Sequence, residues 1–154
     1  MSRALLLIVL FAGLACGFSA ETVTGKVIKV LPHYLDIKGQ HALSPSLYER
    51  DAYQARLRNH PELRSGVRFD IEWKARADRA TPLKLKVELR GIAQGSTPTQ
   101  LTLEQSVTRK GWLSQWTGIP LTGEAYKLFG ELSAWRVSLW DGDRLLGEQT
   151  SFLW

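Results

Sequence analysis

Cysteine and methionine are almost absent from this sequence, with one of each, Cys16 and Met1, in 154 residues. A disulfide framework is therefore excluded, and beyond position 16 there is no thiol nucleophile and no thiolate metal site. Histidine is scarce too. His33, His41 and His60 form no HExxH spacing, so no metal is expected from them. No Gly-x-Ser-x-Gly elbow occurs. Gly91 to Gly95 lacks the Lys-Ser/Thr that completes a phosphate loop, so no cofactor is expected. The one long apolar run, Ala4 to Cys16, is shorter than the roughly 20 residues that span a bilayer.

That run reads instead as an export signal. Arg3 supplies the positive start, and the small residues Ala15, Cys16, Gly17, Ser19 and Ala20 follow the apolar stretch. Cleavage after Ser19 fits best, because it places Gly17 three residues before the cut, giving a signal over residues 1–19 and a domain over 20–154. Lipidation of Cys16 is the alternative, but the large aliphatic residue it requires is one place out of register. The expected location is the periplasm or the exterior, with no transmembrane span after signal removal. Lys and Arg total 20 against 15 Asp and Glu, a net charge of +5, and loss of Arg3 with the signal lowers it by one. That balance permits an anionic partner without requiring one. With 44% hydrophobic and 23% charged residues, the composition is that of an ordinary globular chain able to build its own core.

The patterning is mostly that of strands. Val67, Phe69, Ile71, Trp73 and Ala75 alternate with polar residues, as do Leu83, Leu85, Val87 and Leu89, and the two runs are expected to pair antiparallel. Leu101, Leu103, Gln105 and Val107 form a third run after the turn residues Gly95 to Pro98. Trp112 to Trp116 is a short fourth run, and residues 118–130 read as a long connection. Trp135, Val137 and Leu139 lead into an Asp141-Gly142 hairpin, from which residues 144–153 return. Residues 22–30 read as a strand, with 34–37 as its continuation or partner. Ser44 to Arg58 reads as the one helix, with a capping box in Ser46 and Glu49, an apolar stripe in Tyr48, Ala52 and Ala55, and a stop at Asn59-His60-Pro61.

This pattern predicts an all-β antiparallel sandwich with one short inserted helix over about 44–58. From Val67 to Trp154, the strand with Phe69 and Trp73 and the final hairpin resemble those of immunoglobulin-like or fibronectin-like sandwiches in pattern, without the cysteine pair of antibody domains. Phe69, Ile71, Trp73, Leu85, Val87, Leu103, Trp135, Val137 and Leu139 are the expected core.

Four groups of residues bear on chemistry. Asp70 and Glu72 share the outer face of one strand; a solvated face balanced by Lys84, Lys86 and Arg90 explains them, and a carboxylate pair for hydrolysis is the competing reading. Trp112 and Trp116 share a face with Ser114 if their segment is a strand. Exposed, their rings would stack on sugars; otherwise they pack into the sandwich or cover its open end. Trp140, out of phase with Trp135, is a further candidate. Arg50, Arg56 and Arg58, with Arg64, Arg68 and His60, offer an anion-binding patch, although Arg56 and Arg58 lie about 200° apart on a helix. No nucleic-acid module is present, and Asp141-Gly142-Asp143 lacks the further ligands of a calcium loop. The terminal Phe152-Leu153-Trp154 resembles the end of an outer-membrane barrel, but Glu148 and Thr150 break the lipid-facing phase.

The leading expectation is a non-catalytic exported binding or structural module of the cell envelope that contacts a protein partner, for example by strand addition at an open sheet edge. The alternatives are a carbohydrate- or anionic-glycan-binding domain using the tryptophans, and a small carboxylate hydrolase.

Overall fold

The computed structural model describes residues 23–76 and 82–154. The expected signal over 1–19, with Cys16, lies outside the described residues. Seven strands and two helices follow in the order β1 (Thr24–Asp36), α1 (Leu47–Asn59), β2 (Arg64–Arg76), β3 (Leu83–Ala93), β4 (Thr97–Val107), β5 (Gln115–Thr122), α2 (Gly123–Phe129), β6 (Glu131–Asp141) and β7 (Arg144–Thr150). They form a three-stranded sheet ordered β1-β2-β5 and a four-stranded sheet ordered β4-β3-β6-β7, with every pairing antiparallel. The protein is an all-β sandwich, as the alternation predicts. No helix among the described residues is long and apolar enough to cross a membrane.

Each sheet presents its apolar phase to the other. Phe69, Ile71 and Trp73 of β2 meet Leu85, Val87, Val137 and Leu139 of β3 and β6, and all seven are buried. Leu103 and Trp135 pack against this core but are only partly buried. Leu103 lies on the edge strand β4, and Trp135 sits beside the point where β7 ends.

The expected β2–β3 pair is not formed, because the two strands belong to different sheets. Alternation reports which face of a strand is buried, and two strands facing each other across a core carry the same signal as two strands side by side. The outer-face charges consequently have other partners. Asp70 bonds Arg68 and His33, whereas Lys86 and Lys84 pair with Glu88 and Glu104 on their own sheet.

The long connection expected over 118–130 is a strand and a helix. Pro120 hid the strand from the pattern, but β5 is an edge strand, where a missing N–H is harmless. Gly123 and Gly130, both at positive φ, begin and end α2, and Phe129 plugs that end of the core. Gly91 makes room for the plug, since a Cβ there would lie 2.6 Å from the Phe129 ring.

Helix α1 begins where the capping box places it, with the Ser46 hydroxyl accepting from Glu49 N–H. Its expected stripe is not its buried face. Tyr48 and Ala52 are exposed, and Gln54 and Leu57 are the buried residues. The Gln54 amide accepts from Tyr34 N–H and donates to the Tyr34 and His41 carbonyls, so it occupies the free edge of β1 as a strand would. Arg64 holds the other end of the helix. Its guanidinium donates to the Leu57 and Arg58 carbonyls and to Glu131 on β6, and stacks 4.0 Å from the Tyr34 ring centroid. Burial and the Glu131 carboxylate together push the Tyr34 phenol up to about 12.

Candidate functional site

The two sheets meet along two seams, and these differ. On one side β1 lies against β7. A Cβ on Gly147 would lie 2.8 Å from Lys26 Cα and 3.2 Å from the Gly25 carbonyl, so this approach requires glycine at 147. The bulge between Val27 and Lys29 leaves Ile28 out of the β1–β2 ladder, and Gln149 Nε2 donates to its carbonyl at 2.7 Å. Arg144 donates to the Val23 carbonyl beyond it.

On the opposite side, the edge strands β4 and β5 stand apart. A cleft of about 260 Å³ opens between them, with Trp73 at its floor and Gln105, Ser106, Thr108, Lys110 and Trp116 around its walls. The register shows why it is polar. Gln105 is opposite Leu85 and Thr117 is opposite Ile71, so both hold inward-phase positions where the neighbouring turns of the pattern carry Leu103, Val107 and Ile119. Thr117 accepts the Trp73 indole N–H at 2.9 Å, while Gln105 faces solvent.

Trp116 lines this cleft with 53% of its surface exposed, and Trp112, in the loop that leads into β5, is 76% exposed. Neither packs into the sandwich. β5 begins only at Gln115, so Trp112 stands in the preceding bend and shares no strand face with Trp116. Their loop is anchored. Ser114 donates to Glu72 Oε1 at 2.7 Å, Lys110 N–H donates to Gln115 Oε1, and Gln115 Nε2 donates to the Thr108 carbonyl. Anchoring of this kind lowers the entropy a ligand must overcome to order the loop.

Trp140 lies elsewhere, half-buried on the outer face of the four-stranded sheet beside Lys84, with its indole N–H donated to Ser138 at 2.7 Å. The terminal residues do not continue β7. Trp154 folds over the same outer face beneath Arg90 and Arg136, whose guanidinium carbons lie 4.1 and 5.0 Å from its ring centroid. The three helix arginines do not gather into one patch. Arg50 Nε lies 3.9 Å from its neighbour Asp51, Arg56 lines a cleft of about 340 Å³ with Leu43 and Tyr48, and Arg58 is exposed at the end of α1.

A second constellation lies on the outer face of the three-stranded sheet, and no spacing in the sequence points to it. His33 Nδ1 is 2.7 Å from Asp70 Oδ2, Arg68 holds Asp70 through both Nε and NH2, and His41 Nδ1 stands 3.3 Å from Arg68 NH2. The two imidazole centroids are 5.2 Å apart. Burial alone would raise the Asp70 carboxyl, but hydrogen bonds from His33 and Arg68 outweigh it and hold Asp70 below its ordinary value. Burial and then the Arg68 charge depress His41. Among the described residues, His33, His41 and Asp70 are the group whose ligand atoms lie close enough to share an ion. Comparison with protein families, with characterised proteins and with solved structures finds no match to this chain.

Proposed function

We propose that this protein is a non-catalytic binding module that takes a saccharide at the open seam. The polar inward positions Gln105 and Thr117, beside the exposed ring of Trp116, carry this reading. An apolar ring face next to amide and hydroxyl groups matches the two surfaces of a sugar, one of C–H groups and one of hydroxyls. At about 260 Å³ the cleft is near the lower end of small-molecule sites, which suits a single ring or chain end. Lys110 at the rim favours an anionic sugar over a neutral one.

The expected export signal places this module in the periplasm or outside the cell, where polysaccharides of the envelope are its ligands. The strand order supports an immunoglobulin/fibronectin-like topology, since the fourth strand joins the third in the sheet that carries the last two. The test is intrinsic tryptophan fluorescence during titration with neutral and acidic oligosaccharides. A saturable change that disappears in Trp116→Ala is expected. An absence of change with any of them overturns the reading.

A protein partner is the second reading, favoured by the unpartnered face of α1. Leu43, Leu47 and Tyr48 are exposed there together, around the apolar cleft that Arg56 borders. Crosslinking in cells followed by mass spectrometry tests it, with a stoichiometric envelope protein lost in Tyr48→Asp as the supporting result.

A further inference from the structure

We propose that His33, His41 and Asp70 form a binding site for a divalent transition cation of the zinc class, which Arg68 occupies in the metal-free protein. The site is independent of the open seam and of any saccharide.

The three residues come from separate segments: β1, the β1–α1 loop and β2. One ligand atom from each lies within 4.8 Å of the other two. Two imidazoles and a carboxylate form the nitrogen–oxygen donor set that zinc and its neighbours accept, and calcium or magnesium would seek more oxygen. Ligands on one zinc ion at its usual bond lengths stand about 3.3 Å apart, so the site must contract by about 1.5 Å at most. A turn of the His41 imidazole supplies this. The His41 backbone need not move, because its carbonyl is already fixed by the Gln54 amide at 2.7 Å.

Arg68 is the strongest indication. Its NH2 donates to Asp70 Oδ2 at 3.0 Å and approaches His41 Nδ1 at 3.3 Å. One cationic nitrogen therefore bridges two of the three ligand atoms, which is the place of a metal ion. The Arg68 side chain is 31% exposed, so it has a path into water when an ion displaces it. The site also has an open side. Gly118 stands opposite Asp70 on β5, and a Cβ there would lie 3.1 Å from Asp70 Oδ1 and 3.3 Å from Arg68 Cδ. Three protein ligands leave a fourth position for water or a donor from a bound molecule. Binding replaces the His33–Asp70 hydrogen bond with two metal–ligand bonds, and the proton held there leaves Nδ1, in the neutral ring by passing to Nε2.

The experiment uses chelator-stripped, tag-free protein titrated with Co²⁺ by visible absorption and with Zn²⁺ by calorimetry. One ion per chain is expected, with ligand-field bands of a tetrahedral or five-coordinate site and a rise in Tm on loading. His33→Ala, His41→Ala and Asp70→Asn should each weaken binding by at least about tenfold. Arg68→Gln should strengthen it, because the internal competitor is removed. That gain needs no ligand variant to fold, so it tests the site even if Asp70→Asn unfolds. Absence of one-to-one binding in the wild type overturns the proposal. So does metal binding that survives in the His33→Ala/His41→Ala variant. Unchanged or weaker binding in Arg68→Gln overturns the competitor role, and if Arg68→Gln abolishes binding of inorganic phosphate by a protein that takes no metal, the cluster is an anion site.

Discussion

The two seams of the sandwich are built from the same kind of strand edge and differ in almost every other respect. At the β1–β7 seam, glycine at position 147 lets the backbones touch, and the bulge at Ile28 hands a carbonyl across to Gln149. At the β4–β5 seam the edges stand apart, and Gln105 and Thr117 occupy positions that an apolar core would claim. One seam closes a sheet edge against unwanted pairing, and the other leaves a polar cleft above a buried tryptophan. A strand edge is thus protected or made available by a few residues, without any change in topology.

The sharpest way to break this contrast is to wedge the closed seam. Gly147→Val places a branched side chain against Lys26 Cα and should destabilise the protein by more than about 3 kcal/mol in urea unfolding, at the upper end of overpacking effects. A loss below about 1 kcal/mol would mean that the close approach contributes little. Next in size is the bridge at the end of the sandwich. Arg64 lies on the three-stranded sheet and Glu131 on the four-stranded sheet, at 2.6 Å, and Arg64 also satisfies carbonyls at the end of α1. Arg64→Ala should cost about 3 kcal/mol, since it leaves those carbonyls without their donor. Retention of wild-type stability would show that water replaces the guanidinium fully.

A smaller effect with a pH signature comes from Asp36, which joins the closed side to α1. Burial alone would raise its carboxyl, but Tyr53 O–H and the N–H groups of Gln40 and Lys38 outweigh burial and hold it below its ordinary value. A depressed carboxylate contributes stability that is full above the unfolded-state value near 4 and is lost as pH falls through the lower folded-state value. Asp36→Asn should therefore cost about 2 kcal/mol at pH 7, and the gap to wild type should narrow as pH falls through the depressed folded-state value. A gap that stays constant throughout acid titration would assign the cost to packing.

The contrast between the seams was only partly legible in the sequence. Alternation in 67–75, 83–89 and 135–139 gave the buried face of each strand, because period two is a local property. Partner choice is not local, so β2 and β3 looked like neighbours. Gln105 was visible as a polar residue in an apolar phase, but only the register with Leu85 puts it at a seam. Exposure of Trp112 and Trp116 depends on a loop anchored by Ser114 and Gln115, bonds that no spacing announces. The His33, His41 and Asp70 cluster was invisible for the same reason. Its members lie 8 and 29 positions apart in sequence and meet because β1 pairs with β2 while Gln54 pulls the loop inward.

The smallest expected stability change tests the open seam most directly. Gln105 is exposed and holds an inward-phase position between Leu103 and Val107, so Gln105→Leu extends the apolar row toward the cleft. The substitution should raise stability by about 0.5 kcal/mol, since it adds apolar contact and removes no hydrogen bond to the rest of the protein. The same change should weaken saccharide binding, because a leucine has nothing to offer a sugar hydroxyl. Trp116→Ala separates the two effects. Its ring is largely exposed, so stability should stay within about 0.5 kcal/mol of wild type while binding is lost. If Gln105→Leu raised stability and left oligosaccharide affinity unchanged, the polar inward position would have no part in recognition, and the cleft would be only the place where two edges fail to meet.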